Sequence, residues 1–210
     1  MTRSGRTVRG LDAEQRRARR RADLLEAALT LFGRKGFAAV PIEEICQTAY
    51  VGTKSFYELF DSKEACYLAL FEQLTADLSD RMQVALGEVD SIDGLIEKLA
   101  QVLVADLRRP QVLFGQSAGV SPVVERRRRE NRRWAAGFVE GVWRHYGVIA
   151  PERDVRAIAL GTVGALFELI VDWLFDGTGE AEELVARLTA YHRVVRAGLE
   201  STVDGVSSDR

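Results

Sequence analysis

Apolar residues recur at helical spacing along almost the whole chain, first in short runs and then in long ones. Leu24, Ala28, Leu31 and Phe32 stand at offsets 0, 4, 7 and 8, one face of a helix. Gly36, after Lys35, supplies a stop. Ile42, Ile45, Cys46 and Ala49 stand at 0, 3, 4 and 7, a helix of two turns. Pro41 occupies its expected first position, and Glu43 and Glu44 suit the positive first turn. After a break at Tyr50-Val51-Gly52, Phe56, Leu59 and Phe60 turn inward on a third short helix. Its other side presents Thr53, Lys54, Ser55 and Tyr57. From there the runs lengthen. They predict helices over 62–87, with Leu68, Phe71, Leu74 and Leu78 inward, over 91–108, stopped by Pro110, and over 111–118. Further helices are predicted over 122–146, over 151–176, opened by Pro151, and over 180–203. No segment shows strand patterning, so the chain is read as all-α.

Two two-turn helices joined by a tight turn form a helix-turn-helix, whose second helix enters the major groove. Charge agrees with that assignment. The chain has 210 residues and a formal net charge of only −2, which hides an asymmetry. Residues 1–63 carry 12 Lys/Arg against 8 Asp/Glu, and residues 64–210 carry 17 against 23. Eight arginines fall in the first 21 residues. The basic end is the expected nucleic-acid face. Arg16, Arg17, Arg20, Tyr57 and Lys63 are expected on phosphates or in the adjacent minor groove. Lys63 opens a helix, where backbone N–H groups also favour an anion. Thr53, Lys54 and Ser55 lie within reach of base edges, and Lys54 suits a guanine O6/N7 contact.

The set Ala27-Ala28, Leu31-Phe32, Gly36-Phe37, Ile42-Glu43-Glu44-Ile45, Ala49, Val51, Phe56-Tyr57, Phe60 and Lys63-Glu64 resembles the TetR (tetracycline-repressor) family of bacterial regulators. The match covers about a quarter of the chain. It departs from the family at three places. Val40 and Pro41 replace a usual Thr or Ser whose hydroxyl touches a phosphate. Tyr50 replaces a turn glycine, at a cost of about 1 kcal/mol or more if the backbone there has positive φ. Gly52 replaces a Ser or Thr cap, a loss of a few tenths of a kcal/mol. The resemblance implies an N-terminal three-helix helix-turn-helix DNA-binding domain and a C-terminal helical bundle that binds a ligand and dimerises. It also implies a homodimer that represses transcription from double-stranded DNA, at a palindromic operator, until a small-molecule effector binds. The expected divisions are a flexible basic arm over 1–15, a DNA-binding domain over 16–63, an effector-binding and dimerisation domain over 64–203, and a polar tail over 204–210.

Within the body, Ala157 to Phe175 is apolar nearly all round, as a helix buried on two sides would be. Its length would also span a membrane, but Glu168, Asp172, Gly161 and Gly164 interrupt it and no basic cluster flanks it, so no membrane is expected. Ala157, Gly161 and Ala165 form a strip of small residues that permits close helix approach. With Leu184, Leu188, Tyr191 and Val195 of the last helix they are expected to form a four-helix dimer interface. An effector pocket is expected between bundle helices, with Phe71, Leu74, Leu103, Phe114, Trp134, Phe138 and Phe167 as lining. Such a lining suits a hydrophobic or aromatic molecule. Arg126–Arg129 with Arg132 and Arg133 read as a solvated helix face. Glu168 and Asp172, at i and i+4, read as ion-pairing or interface groups, or as a seat for a cationic ligand.

Other chemistries find little support. Two cysteines without a Cys-x-x-Cys and two histidines argue against a metal site and for buried free thiols in a reducing cytoplasm. No cofactor is expected. The first residues hold arginines but no apolar stretch, so a cytoplasmic protein is expected. His145 and His192 stand apart from any nucleophile, and no GxxxxGK loop occurs, so catalysis is not expected. A ligand-independent architectural DNA-binding protein is the alternative, and it would not need so large a helical body.

Overall fold

The computed structural model describes residues 13–115, 121–149, 154–177 and 179–204, without the side chains of 201–204. Among the described residues all regular structure is helical. The helices are α1 (Ala13–Lys35), α2 (Ile42–Thr48), α3 (Thr53–Tyr57), α4 (Lys63–Glu88), α5 (Ile92–Val104), α6 (Arg108–Leu113), α7 (Pro122–His145), α8 (Arg156–Asp176) and α9 (Ala181–Asp204).

Local signals in the sequence explain most of the boundaries. Gly36 ends α1 at φ 76°, a conformation open to glycine. Ser62, Ser91 and Ser121 cap α4, α5 and α7, accepting from the N–H groups of Ala65 (3.0 Å), Gly94 (3.1 Å) and Val124 (3.2 Å). Pro122 then stands at the start of α7, where a missing N–H costs nothing.

Three boundaries differ from the sequence expectation. Pro41 is the N-cap of α2, not its first helical residue. The helix α8 begins at Arg156, whose N–H donates to the Asp154 carboxylate at 3.0 Å. Pro151 lies outside the described residues, as do 1–12 of the arm and 205–210 of the tail. Pro110 does not end a helix. The chain leaves α5 at Val104, and Pro110 sits buried in the first turn of α6. That turn has N–H groups with no intrahelical partner, so proline is tolerated there.

Two hydrophobic cores divide the molecule. The first gathers α1–α3, the opening turns of α4 and the apolar face of α6, with Leu24, Phe32, Ile45, Phe56, Tyr67 and Val112 inside. The second gathers the far half of α4 with α5, α7, α8 and α9 around Trp143 and Trp173, each 1% exposed. The DNA-binding core therefore does not close at residue 63. Tyr67, Leu70, Phe71 and Leu74 of α4 complete it, and the Tyr67 hydroxyl donates to the Val112 carbonyl of α6 at 3.0 Å. Leu78 and Phe114 pack against both cores.

The turn between α2 and α3 is strained. Tyr50 is the one non-glycine residue with positive φ (53°) among those described, and its side chain is 97% exposed. Left-handed backbone costs a residue with a Cβ about 1–2 kcal/mol, and no contact of the ring offsets it. Tyr50→Gly should raise the unfolding free energy by about 0.5–1 kcal/mol, after the loss to glycine's own chain entropy. Urea denaturation measures it, and a variant no more stable than the parent would mean the turn adopts another conformation.

Candidate nucleic-acid interface and effector cavity

The short helix α3 is held from behind. Phe56 is fully buried and Phe60 nearly so, and their rings meet at 5.6 Å. Thr53 and Lys54 are exposed, Ser55 is half-buried, and the Tyr57 ring is 53% exposed beside Phe56. Gly52 is the N-cap and supplies no side-chain hydrogen bond, so the first N–H groups of α3 keep their capacity for an anion. The first turn of α3 is thus a polar edge on a rigid support.

The structure brings the arginines of α1 to this edge. Arg16, Arg19 and Arg20 line an open groove with Thr48, Tyr50, Gly52 and Ser55. Arg17 donates to the Glu58 carbonyl just beyond α3 (3.2 Å), fixing the end of the short helix to α1. Arg21 lies over the Phe60 ring at 5.6 Å. The sequence reading missed Arg19 and Tyr50. Arg19 was legible as one more residue of the basic run.

Lys63 departs from its expected role. Its ammonium turns inward, donates to the carbonyls of Phe37 (2.9 Å) and Val40 (2.8 Å), and sits 4.4 Å from the centre of the Phe37 ring. Burial holds its pKa below the ordinary lysine value. Two carbonyls left by the turn after α1 hold this cation, so Lys63 ties that turn to α4 and is not turned outward as a phosphate contact requires.

Cys46 and Cys66 are buried free thiols. Burial raises both pKa values, that of Cys66 to about 12, so neither presents a thiolate at neutral pH. Cys46 lies under α3, where the Thr53 side chain partly opposes that rise. No group of side chains suited to a metal ion occurs among the described residues.

In the second core a cavity of about 170 Å³ opens among α4, α5, α7, α8 and α9. Of the expected lining, Phe114, Trp134, Phe138 and Phe167 face it. Phe114 meets Phe167 edge-on at 4.9 Å, and Trp134 stacks on Phe138 at 6.0 Å. Phe71, Leu74 and Leu103 do not: they are 2–3% exposed and packed into the two cores. Thr75, Ser79, Asn131, Thr162 and His192 interrupt the apolar wall. Thr75 Oγ1, Thr162 Oγ1 and His192 Nε2 are buried, face this cavity and have no hydrogen-bond partner among the described residues. Leaving such a group unpaired costs about 1–3 kcal/mol. The sequence reading weighed His192 only as a catalytic group. Its place four residues after Leu188, on an apolar stripe, was the available signal.

The surface expected to join two copies divides in two. Leu184 and Leu188 are fully buried in their own chain and leave no surface for a partner, because α9 packs them against α5 and α8. Ala157 and Gly161 are exposed, and Ala165, Tyr191 and Val195 half-buried. Val194, between the last two, is 74% exposed. The helix α8 is long and apolar enough to cross a membrane by length and composition, yet only 28% of its apolar window is buried. Asp172 pairs with Arg187 of α9, and Glu168 is exposed without a partner among the described residues. On α7, Arg127 pairs with Glu72 and Glu130, and Arg128 lies over Phe71, so neither turns to Glu168 or Asp172.

A helix-turn-helix head on an all-helical body with an internal cavity is the architecture of a DNA-binding regulator. Residues 24–70 match the family model described as bacterial regulatory proteins, tetR family. The helix-turn-helix segment is thus similar to the DNA-binding region of that family. The chain is 26% identical over 132 residues to the HTH-type transcriptional repressor NicS of Pseudomonas putida, a match spanning 62% of this chain and 62% of that repressor's length. Its fold is similar to the fatty acid degradation regulator FadR of Bacillus halodurans, with a TM-score of 0.71 at 18% identity over 86% of this chain and 96% of that one. It is also similar to FadR of Bacillus subtilis in complex with stearoyl-CoA, with a TM-score of 0.64 at 20% identity over 86% and 97%. The matched family and these relatives are regulators, not enzymes.

The inward turn of Lys63 yields a measurable distinction. Lys63→Met should destabilise the protein by on the order of 1–2 kcal/mol, since it leaves two carbonyls without a charged donor at a partly exposed site. It should leave the salt dependence of DNA binding at the wild-type slope. A slope lowered by about 1 would return Lys63 to the phosphate contacts.

Proposed function

We propose that this chain is a DNA-binding transcriptional regulator, a homodimeric repressor released from a palindromic operator by a small apolar effector. The observation that carries the proposal is the exposed first turn of α3, backed by buried Phe56 and flanked by Arg16, Arg19 and Arg20. That arrangement fits a recognition helix entering the major groove while basic side chains track the backbone. Arg16, Arg17, Arg20 and Tyr57 are assigned to phosphates or the adjacent minor groove, and Thr53, Lys54 and Ser55 to base edges. The FadR of Bacillus subtilis holds stearoyl-CoA, which supports a small-molecule effector in a body of this fold. The cavity also favours this reading over a ligand-independent architectural protein, which has no use for buried unpaired polar groups. Selection of bound sequences from a random DNA pool tests the assignment. A palindrome with half-sites about one helical turn apart is expected, and recovery of unrelated sequences would sink it.

The partner surface is proposed for the exposed faces of α8 and α9. Apolar α8 needs cover, and a second copy supplies it by symmetry. A Cβ built at Gly161, Gly164 or Gly198 meets nothing within 4 Å, so this face is open to a close-packed helix.

Two variants separate the parts. Lys54→Ala should relax the preference at one base pair of each half-site, a loss of about 1–3 kcal/mol of discrimination. An unchanged selected motif would make Lys54 a phosphate anchor only. Gly161→Leu has room in the single chain, so it should keep its helical circular dichroism, become monomeric and lose tight operator binding. A Gly161→Leu protein still dimeric by light scattering would place the interface elsewhere.

A further inference from the structure

The cavity in the body carries more information than its apolar walls. Its lining among the described residues contains no Asp, Glu, Lys or Arg side chain. A charged group entering it would lose its hydration and find no counter-charge. Its polar side chains, Ser79 and Asn131 among them, are neutral, and three of their atoms are buried and unsatisfied: the Thr162 hydroxyl on α8 and His192 Nε2 on α9, on residues 3% and 6% exposed, with the Thr75 hydroxyl on α4. Burial pushes the His192 imidazole below its ordinary pKa, against the opposing pull of Asp93 and Glu200 and with the help of Arg196. It is therefore neutral near pH 7. A neutral imidazole nitrogen accepts a proton or donates one according to tautomer, and a threonine hydroxyl does both.

The volume sets a second limit. An apolar cavity of about 150 Å³ admits benzene. The 170 Å³ here suits one ring with a small substituent. Trp143 and Phe138 stand in the wall, where an aromatic ring finds edge and face partners.

We infer that this cavity binds an uncharged, single-ring-sized molecule whose hydroxyl or carbonyl group is held between Thr162 and His192. A phenol would donate its O–H to His192 Nε2 and accept from the Thr162 hydroxyl. A ketone would accept from both. This specifies the effector of the regulator proposed above. The binding claim stands on the cavity, and only the release of operator depends on that earlier reading.

The test uses three probes of one shape on the full-length protein without DNA: 4-ethylphenol, ethylbenzene and 4-ethylbenzoate. Titration calorimetry, with tryptophan fluorescence as a second readout, should show 4-ethylphenol at least tenfold tighter than either of the others. Thr162→Val and His192→Leu should each reduce the phenol towards the hydrocarbon and leave ethylbenzene binding unchanged. Each should also unfold at a temperature no lower than the parent, because an unpaired buried polar group has been removed. That last readout separates a ligand-holding role from a structural one. Equal affinity for ethylbenzene and the phenol, tightest binding of the carboxylate, or no binding of any probe would each overturn the inference. So would phenol binding unaffected in both variants. A protein that shows the phenol preference but selects no DNA sequence supports this inference and sinks the regulator reading instead.

Discussion

Arg108 fastens α6 to α1, and α6 reaches on to the second core. The Arg108 guanidinium donates to Asp106 beside it and to Glu26 (2.7 Å) and Thr30 (2.8 Å) on α1. Gly33, one turn further along α1, lets the Arg108 backbone come close: a Cβ there would stand 3.1 Å from it. The same short helix ends in Leu113 and Phe114, which line the cavity. So α6 touches the proposed ligand site at one end and the helix that carries the basic residues at the other. The second link is α4, which runs from the first core into the second without a break. Arg109 of α6 pairs with Asp77 of α4, so the two links are themselves joined. On the proposed reading, these two helices are the route by which a ligand in the cavity would act on the reading head, and it would shift binding only as far as it distinguishes the two arrangements.

Stability is given up in several places, and some of them lie at the proposed sites. Tyr50 holds a left-handed backbone at the turn before α3, and α3 itself has no side-chain cap. A five-residue helix has little stability of its own. It persists because Phe56 is buried behind it and Arg17 bonds the carbonyl after it. In the body, Thr162 and His192 lack partners inside a well-packed bundle. The structural helix ends, by contrast, are well served by Ser62, Ser91 and Ser121. The contrast within one chain is what gives the unsatisfied positions their weight.

The reading head was legible because its signals are local. Periodicity over eight residues, Gly36 and the phenylalanines of α3 all report on neighbours in sequence. The failures share a different cause: each required knowing what lies across space. Pro110 stops a helix in a linear reading, but in the fold it starts one. Lys63 is a surface cation by sequence, and its partners, the carbonyls of Phe37 and Val40, lie 26 and 23 residues away. Leu184 and Leu188 share a stripe with Tyr191 and Val195, and periodicity does not say which part of a broad stripe meets its own chain. Phe114, Trp134, Phe138 and Phe167 do line a cavity, because aromatics crowd the bundle. The polar atoms that give the cavity its chemistry were missed, since a lone histidine or threonine carries no pattern.

The apolar helix α8 shows how one element serves two environments. Its inner face carries Ala159, Thr162, Val163, Ile170 and Trp173, all buried. Val163 and Ile170 line the cavity together with Thr162. Its outer face carries Ala157, Gly161, Glu168 and Asp172, which are exposed, and the half-buried Ala165. One face of this apolar helix packs against the chain's own core, and the other is the surface proposed for a second copy. The cavity and the proposed interface therefore lie on opposite sides of a single helix, roughly one helix diameter (about 10 Å) apart. On the proposed reading, a molecule bound beside Thr162 and the packing of a second copy on the outer face would be coupled through α8. Any shift of α8 that improves the fit on one side alters the packing of small residues on the other. The spacing of the two reading heads in a dimer would follow from that helix as much as from α6 and α4.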